Sequence, residues 1–210
     1  METVLLTGFE PFAGDATNPS GDAVRAVEER WTGTERLIVE VLPVAFDAAA
    51  TRLRQLLDEH RPDIVIATGL AGGRAQVTPE RVAINLADAR IPDNDGAQPV
   101  DRPVVEGGPA AYFATLPVKA IAAALTREGI PAAVSHSAGT FVCNHVMYTA
   151  LDAAAPGVRA GFVHVPSARE HAPEGAASLP LDDIVRAVEL TVRTALDVRE
   201  DVAAPGGTLH

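Results

Sequence analysis

Short runs of β-branched and apolar residues alternate along the chain with longer stretches whose apolar residues recur at spacings of three and four. That alternation predicts an α/β chain, a sheet covered by helices on both faces. The strand candidates are Thr3 to Thr7, Leu37 to Leu42, Asp63 to Thr68, Arg81 to Leu86, Ala132 to Ser135 and Gly161 to Val165. Asn18 can cap a helix that has Pro19 at its first position and runs to Arg30. Ala48 to Glu59 gathers Leu53, Leu56 and Leu57 on one face and is stopped by Pro62. Val118 to Glu128 ends at Gly129, and Leu181 to Val198 carries Ile184, Val185, Val188 and Val192 at helical spacing. Asp88 to Ala114 is weakly patterned, and loops of that length are usually functional or mobile.

The chain has 210 residues, 47% of them hydrophobic, enough for one sizeable core. No linker or repeat divides it, so residues 1–210 are read as a single domain. Its formal charge of −11 repels phosphate backbones and anionic headgroups, which argues against nucleic acid and membrane partners. The acidic second residue and short apolar start do not resemble a signal peptide, and a cytoplasmic location is expected. Cys143 is the sole cysteine, a free thiol suited to a reducing compartment. The tail from Ala203 to His210 is expected to be loosely held.

Ligands of open α/β sheets bind at the carboxyl ends of strands. Four segments occupy such places: Gly8 to Gly14, Gly69 to Gly73, Ser135 to Asn144, and His164 to Pro166. The third leads into a helix over Asn144 to Ala155, and Cys143 is read as occupying its first turn. There, unsatisfied backbone N–H groups and the helix dipole favour a nucleophilic thiolate. The plainer reading of a lone cysteine is a small buried hydrophobe.

A thiol nucleophile needs a base. His145 lies two residues on, on a different helix face; His60 and His210 read as solvated, and His171 lies in a charged loop. His136 and His164 both sit near strand ends, and the pattern of the residues leaves the choice between them open. Glu80 follows Thr78-Pro79 and reads either as the first turn of a helix or as the entry to the alternating run Arg81 to Leu86. In the second case its carboxylate needs a partner, for which an imidazole would serve.

Other motifs fail on spacing. Gly69 to Arg74 is neither a dinucleotide fingerprint nor a P-loop, and Asp93-Asn94-Asp95-Gly96 is a polar turn rather than a calcium loop. No Cys/His cluster has metal-ligand spacing. Ser135-His136-Ser137-Ala138-Gly139 imitates a nucleophile elbow and keeps Ser137 as a rival nucleophile of a serine esterase. A third reading is a non-catalytic small-ligand binding protein on the same scaffold.

Leu5 to Phe12, Gly72-Gly73-Arg74 with Thr78 to Asn85, Arg90 to Asn94, Gly107 to Ala110, Ala138 to Asn144 and Phe162 to Pro166 together resemble the pyroglutamyl peptidase I family, in order and over essentially the whole chain. The resemblance implies a three-layer α/β/α sandwich around a mixed, mostly parallel sheet. It implies a cysteine peptidase that removes N-terminal pyroglutamate through a thioester, with Cys143 as nucleophile, His164 as base and Glu80 orienting it. It further implies a cytoplasmic homotetramer that uses no cofactor and no metal. By the same likeness Phe9, Phe12, Phe141 and Val142 line a lactam pocket, Leu70 contributes to substrate binding, and Arg90 lies close to the cysteine. The chain departs from the family pattern at Leu70, where glutamine is usual, at Val44, where threonine is common, and over Ser167 to His171.

Overall fold

The computed structural model describes residues 1–207, so the sequence reading of His210 lies outside the described residues. A five-stranded sheet has the order β2-β1-β3-β7-β4, formed by β1 (Thr3–Phe9), β2 (Arg36–Leu42), β3 (Ile64–Leu70), β7 (Arg159–Val165) and β4 (Thr78–Pro79). All pairings are parallel except that of β4 with β7, which makes the sheet mixed and mostly parallel.

Alternation along the strands sorts two apolar cores. Val4, Leu6, Ile64, Ile66, Val163 and Val165 face α1 (Pro19–Arg30), α3 (Val118–Arg127) and α5 (Leu181–Asp197). Leu5, Val65, Ala67, Ala160 and Phe162 face α2 (Phe46–His60) and α4 (Val142–Ala153). The three expected layers are present.

Local chemistry explains the helix starts. Asn18 accepts a hydrogen bond from the Ser20 amide and Pro19 occupies the first turn of α1, as the sequence predicts. Gly21 follows because a β-carbon there would stand 2.3 Å from the Phe9 carbonyl oxygen, so α1 lies tightly against the end of β1. Asp201 takes the place of a local cap for α3, accepting from the Lys119 and Ala120 amides, and the Ala204 carbonyl accepts from Lys119 Nζ. Residues 203 and 204 are thereby drawn against α3, tighter than the sequence reading of a loose tail.

Two strand expectations change. Ala132 to Ser135 makes only isolated bridges, Ala132 to Val77 and Ser135 to Glu80, because it runs beside a two-residue strand in which Pro79 has no N–H to donate. Arg81 to Leu86 shortens to β5 (Val82–Ile84) and pairs outside the main sheet with β6 (Ala111–Phe113), a strand inside the weakly patterned region. Side chains order that region. Asn85 accepts from the Val105 amide, and the buried Asp93 accepts from the Asp95 and Ala97 amides and, across to α2, from Phe46 N at 2.8 Å. A last small pair, β8 (Ser167–Ala168) with β9 (Ser178–Leu179), follows the end of β7.

Candidate active site

Three strand ends and one helix start converge on the site. His164 is the sixth residue of β7, and the pleat places it on the same face as Phe162, toward α4. Gly69 of β3 is its direct partner across the ladder. A β-carbon on Gly69 would stand 2.9 Å from Cys143 Sγ and 2.8 Å from the Phe162 ring, so the sulfur sits against bare backbone beside His164. Glycine at 69 is a requirement of close approach.

Glu80 is reached from the other flank. Its amide donates to the Phe162 carbonyl at 2.9 Å, which tethers it two residues before His164 on β7. The fully buried carboxylate contacts His164 Nδ1 through Oε1 at 2.7 Å. A carboxylate only accepts, so Nδ1 carries the proton and Nε2 is left as the basic nitrogen. The strand-entry reading of Glu80 is therefore the one realised, not the helix start. The same Oε1 accepts from Arg74 Nη1 at 2.8 Å, and that nitrogen also donates to Thr78 Oγ1 at 2.6 Å. Burial opposes ionisation of Glu80, but His164, with Ser135 and Arg74, outweighs it and holds the carboxyl below its ordinary range.

Cys143 occupies the second position of α4, as its sequence position suggests, but its ionisation is the reverse of that expectation. Burial, and after it the Glu80 charge, push the thiol up to about 12, against the opposite pull of Arg74. Desolvation thus exceeds the benefit of the helix start. The sulfur is thereby held as a thiol, and a thiolate arises when a base takes its proton. No side chain caps α4, so amides of its first turn are left for another acceptor.

These groups open onto a cleft of about 560 Å³. Phe9, Phe12, Leu70, Arg90, Phe141 and Val142, all six residues expected at a substrate pocket, line it together with Cys143 and His164. Phe12 and Phe46 pack on Phe141 at centroid distances of 5.3 and 5.1 Å, giving one wall of the cleft an aromatic backing. Val44 lines it as well.

Other candidates lie elsewhere. His136 and Ser137 are exposed and do not line the cleft, and the Ser137 hydroxyl accepts from the Gly139 amide at 3.2 Å as part of a turn. His145 is buried against Phe46, His60 lies beside Glu59, and His171 is exposed. Sequence reasoning did not single out two residues that matter. Arg74 was visible only as part of a glycine-rich turn, and Asn144 only as a helix residue. Asn144 is fully buried and clamps α4 to β5, accepting from Ile84 N and donating to the Ile84 and Leu86 carbonyls at 3.0, 2.9 and 3.0 Å. Among the described residues no group of three or more His, Cys, Asp or Glu is placed to hold a metal ion, and no helix is long and apolar enough to cross a membrane.

Scaffold and cleft define a cysteine-type hydrolase on an α/β/α fold. Residues 2–198 match the family model described as pyroglutamyl peptidase. The pyrrolidone-carboxylate peptidase of Chromobacterium violaceum is 54% identical over 212 residues, covering 100% of both chains. The crystal structure of pyroglutamyl peptidase I from Bacillus amyloliquefaciens superposes with a TM-score of 0.93 at 46% identity, over 98% of this chain and 100% of that one. The pyrrolidone carboxyl peptidase of Thermococcus litoralis superposes at 0.92 with 41% identity, over 98% and 100%. The chain belongs to the pyroglutamyl peptidase family.

Proposed function

We propose that this protein hydrolyses the bond after an N-terminal pyroglutamyl residue, with Cys143 as nucleophile, His164 as general base and acid, and Glu80 orienting His164. The observation that carries the reading is the 2.7 Å contact of His164 Nδ1 with buried Glu80, beneath a cleft that Cys143 and His164 share. Pyroglutamate is an uncharged five-membered lactam, which suits a pocket with apolar walls and a few backbone donors. Phe9, Phe12, Phe141 and Val142 supply those walls.

In the first step the Cys143 proton passes to His164 Nε2 as sulfur bonds to the carbonyl carbon, and the oxyanion is met by first-turn amides of α4. The carbon–nitrogen bond then breaks, and the imidazolium gives its proton to the departing amine. Water attacks the thioester, losing a proton to Nε2, and pyroglutamate leaves as the thiol is restored. Glu80 keeps the ring in the productive tautomer and offsets the charge of the imidazolium.

With the Cys143 thiol held up by burial, His164 acts in this scheme as the base that takes its proton. No resident cofactor or metal enters it. We read residues 1–210 as one catalytic domain, since both cores share one sheet, and take the working form to be a cytoplasmic homotetramer on family likeness and the single free thiol. Cys143→Ala should lower release of chromophore from a pyroglutamyl-anilide by roughly 10⁴-fold or more. Unchanged turnover would remove the reading, and inactivation by a serine-directed fluorophosphonate but not iodoacetamide would move it to Ser137.

A further inference from the structure

A second cavity of about 320 Å³ adjoins the cleft, and Asp15, Thr17 and Leu70 line both. Its remaining walls come largely from the chain just beyond His164: Ser167, Ala168, Ala172 and Pro173. Leu70 is paired with Val165, the residue after His164, so the shared rim lies immediately downstream of the imidazole on the same pair of strands.

The direction of the reaction gives this cavity a meaning. The leaving amine must take its proton from His164, so the peptide that follows pyroglutamate passes on the His164 side. The adjoining cavity lies on that side. Leu70, Ala168, Ala172 and Pro173 offer small apolar contacts suited to a methylene stem, and the ionisable groups that line the cavity are Asp15 and His171, both exposed at its rim. Arg74 and Arg90 line the main cleft and not this cavity.

We infer that the second cavity is the subsite for the residue after pyroglutamate, and that it favours a long cationic side chain over an anionic one. The inference rests on the peptidase reading above. Asp15 supplies the charge preference, and Ser167, Ala168 and His171 line the cavity with it.

The test compares kcat/KM for pyroglutamyl-lysyl, pyroglutamyl-glutamyl and pyroglutamyl-glycyl peptide amides, in the intact protein and in Asp15→Asn and Ala172→Phe. The lysyl substrate should exceed the glutamyl one by about fivefold, as expected for one solvent-exposed charge contact, and Asp15→Asn should at least halve that ratio. Ala172→Phe fills the cavity and should raise KM for the lysyl substrate more than for the glycyl one. A ratio near one in the unaltered protein, or one that Asp15→Asn leaves unchanged, overturns the subsite while glycyl cleavage keeps the peptidase reading intact. Failure to cleave any of the three overturns the peptidase reading and the subsite with it.

Discussion

Arg74 and His164 meet on one oxygen: both approach Glu80 Oε1, the guanidinium nitrogen at 2.8 Å and the imidazole Nδ1 at 2.7 Å. The carboxylate is fully buried, whereas Arg74 reaches it from a partly exposed position in the cleft wall. A buried carboxylate with only one partner is costly, and here the second partner both offsets its charge and fixes its orientation. Arg74 should accordingly act on catalysis through Glu80, as a positioning residue.

Arg74→Ala should lower kcat by about 10- to 100-fold with a smaller effect on KM. Losing the guanidinium raises the Glu80 carboxyl toward its ordinary range, and a protonated Glu80 no longer accepts from Nδ1–H. The acid limb of the pH–rate profile should therefore move to higher pH. Arg74→Lys should recover part of the rate, and a variant with wild-type kcat and an unmoved acid limb would remove this role.

Gly69→Ala tests the seat of the sulfur. A β-carbon 2.9 Å from Cys143 Sγ and 2.8 Å from the Phe162 ring must displace one of them. Overpacking of this kind costs about 1–3 kcal/mol, or roughly 2–12 °C in Tm for a chain of this size. The rate should fall further than stability alone explains, by about 100-fold at a temperature where the variant is folded, because sulfur moved from beside His164 loses its base. Calorimetry and turnover measured on the same preparation separate the two effects.

His145 sets a pH dependence of stability that is separate from catalysis. Burial, opposed in part by Asp47, lowers its imidazole to about 4, whereas in the unfolded chain it titrates near 6.5. Between those values the unfolded chain binds the extra proton, so this contribution is intact above about pH 6.5, is lost as pH falls, and levels off below about 4. Its full size is about 3 kcal/mol. His145→Phe keeps an aromatic ring edge-on to Phe46, now 5.3 Å from His145, and should flatten denaturant midpoints between pH 6.5 and 4. An unchanged slope would assign the acid sensitivity elsewhere.

Much of the scaffold was legible because its signals are local. Asn18 and Pro19 announce α1, Pro62 stops α2, and apolar spacing marks α5. What escaped depends on contacts between distant segments. Residues 132 to 135 have strand composition but meet Pro79, which cannot continue a ladder. The contact that favours His164 over His136 follows from the register of β3, β7 and β4, which brings Glu80 across 84 residues to one ring nitrogen. The family likeness pointed to the same histidine, where residue pattern alone left a tie. Arg74 was hidden because an irregular segment with no helix or strand period joins it to Glu80, six residues on, and Asn144 because its partners are backbone groups of β5 and beyond. The thiol misled in one respect: a helix start is visible in sequence, but the desolvation that keeps sulfur protonated belongs to the packed cleft.

The central claim is that Cys143 sulfur becomes acylated by pyroglutamate, and acid-quenched mass spectrometry of the enzyme during turnover of a pyroglutamyl ester reads this directly. The peptide containing Cys143 should gain the mass of one pyroglutamyl acyl group, hydroxylamine should remove it, and Cys143→Ala should carry none. Turnover with the added mass on Ser137, or with no acyl-enzyme and an undiminished rate in Cys143→Ala, would contradict it.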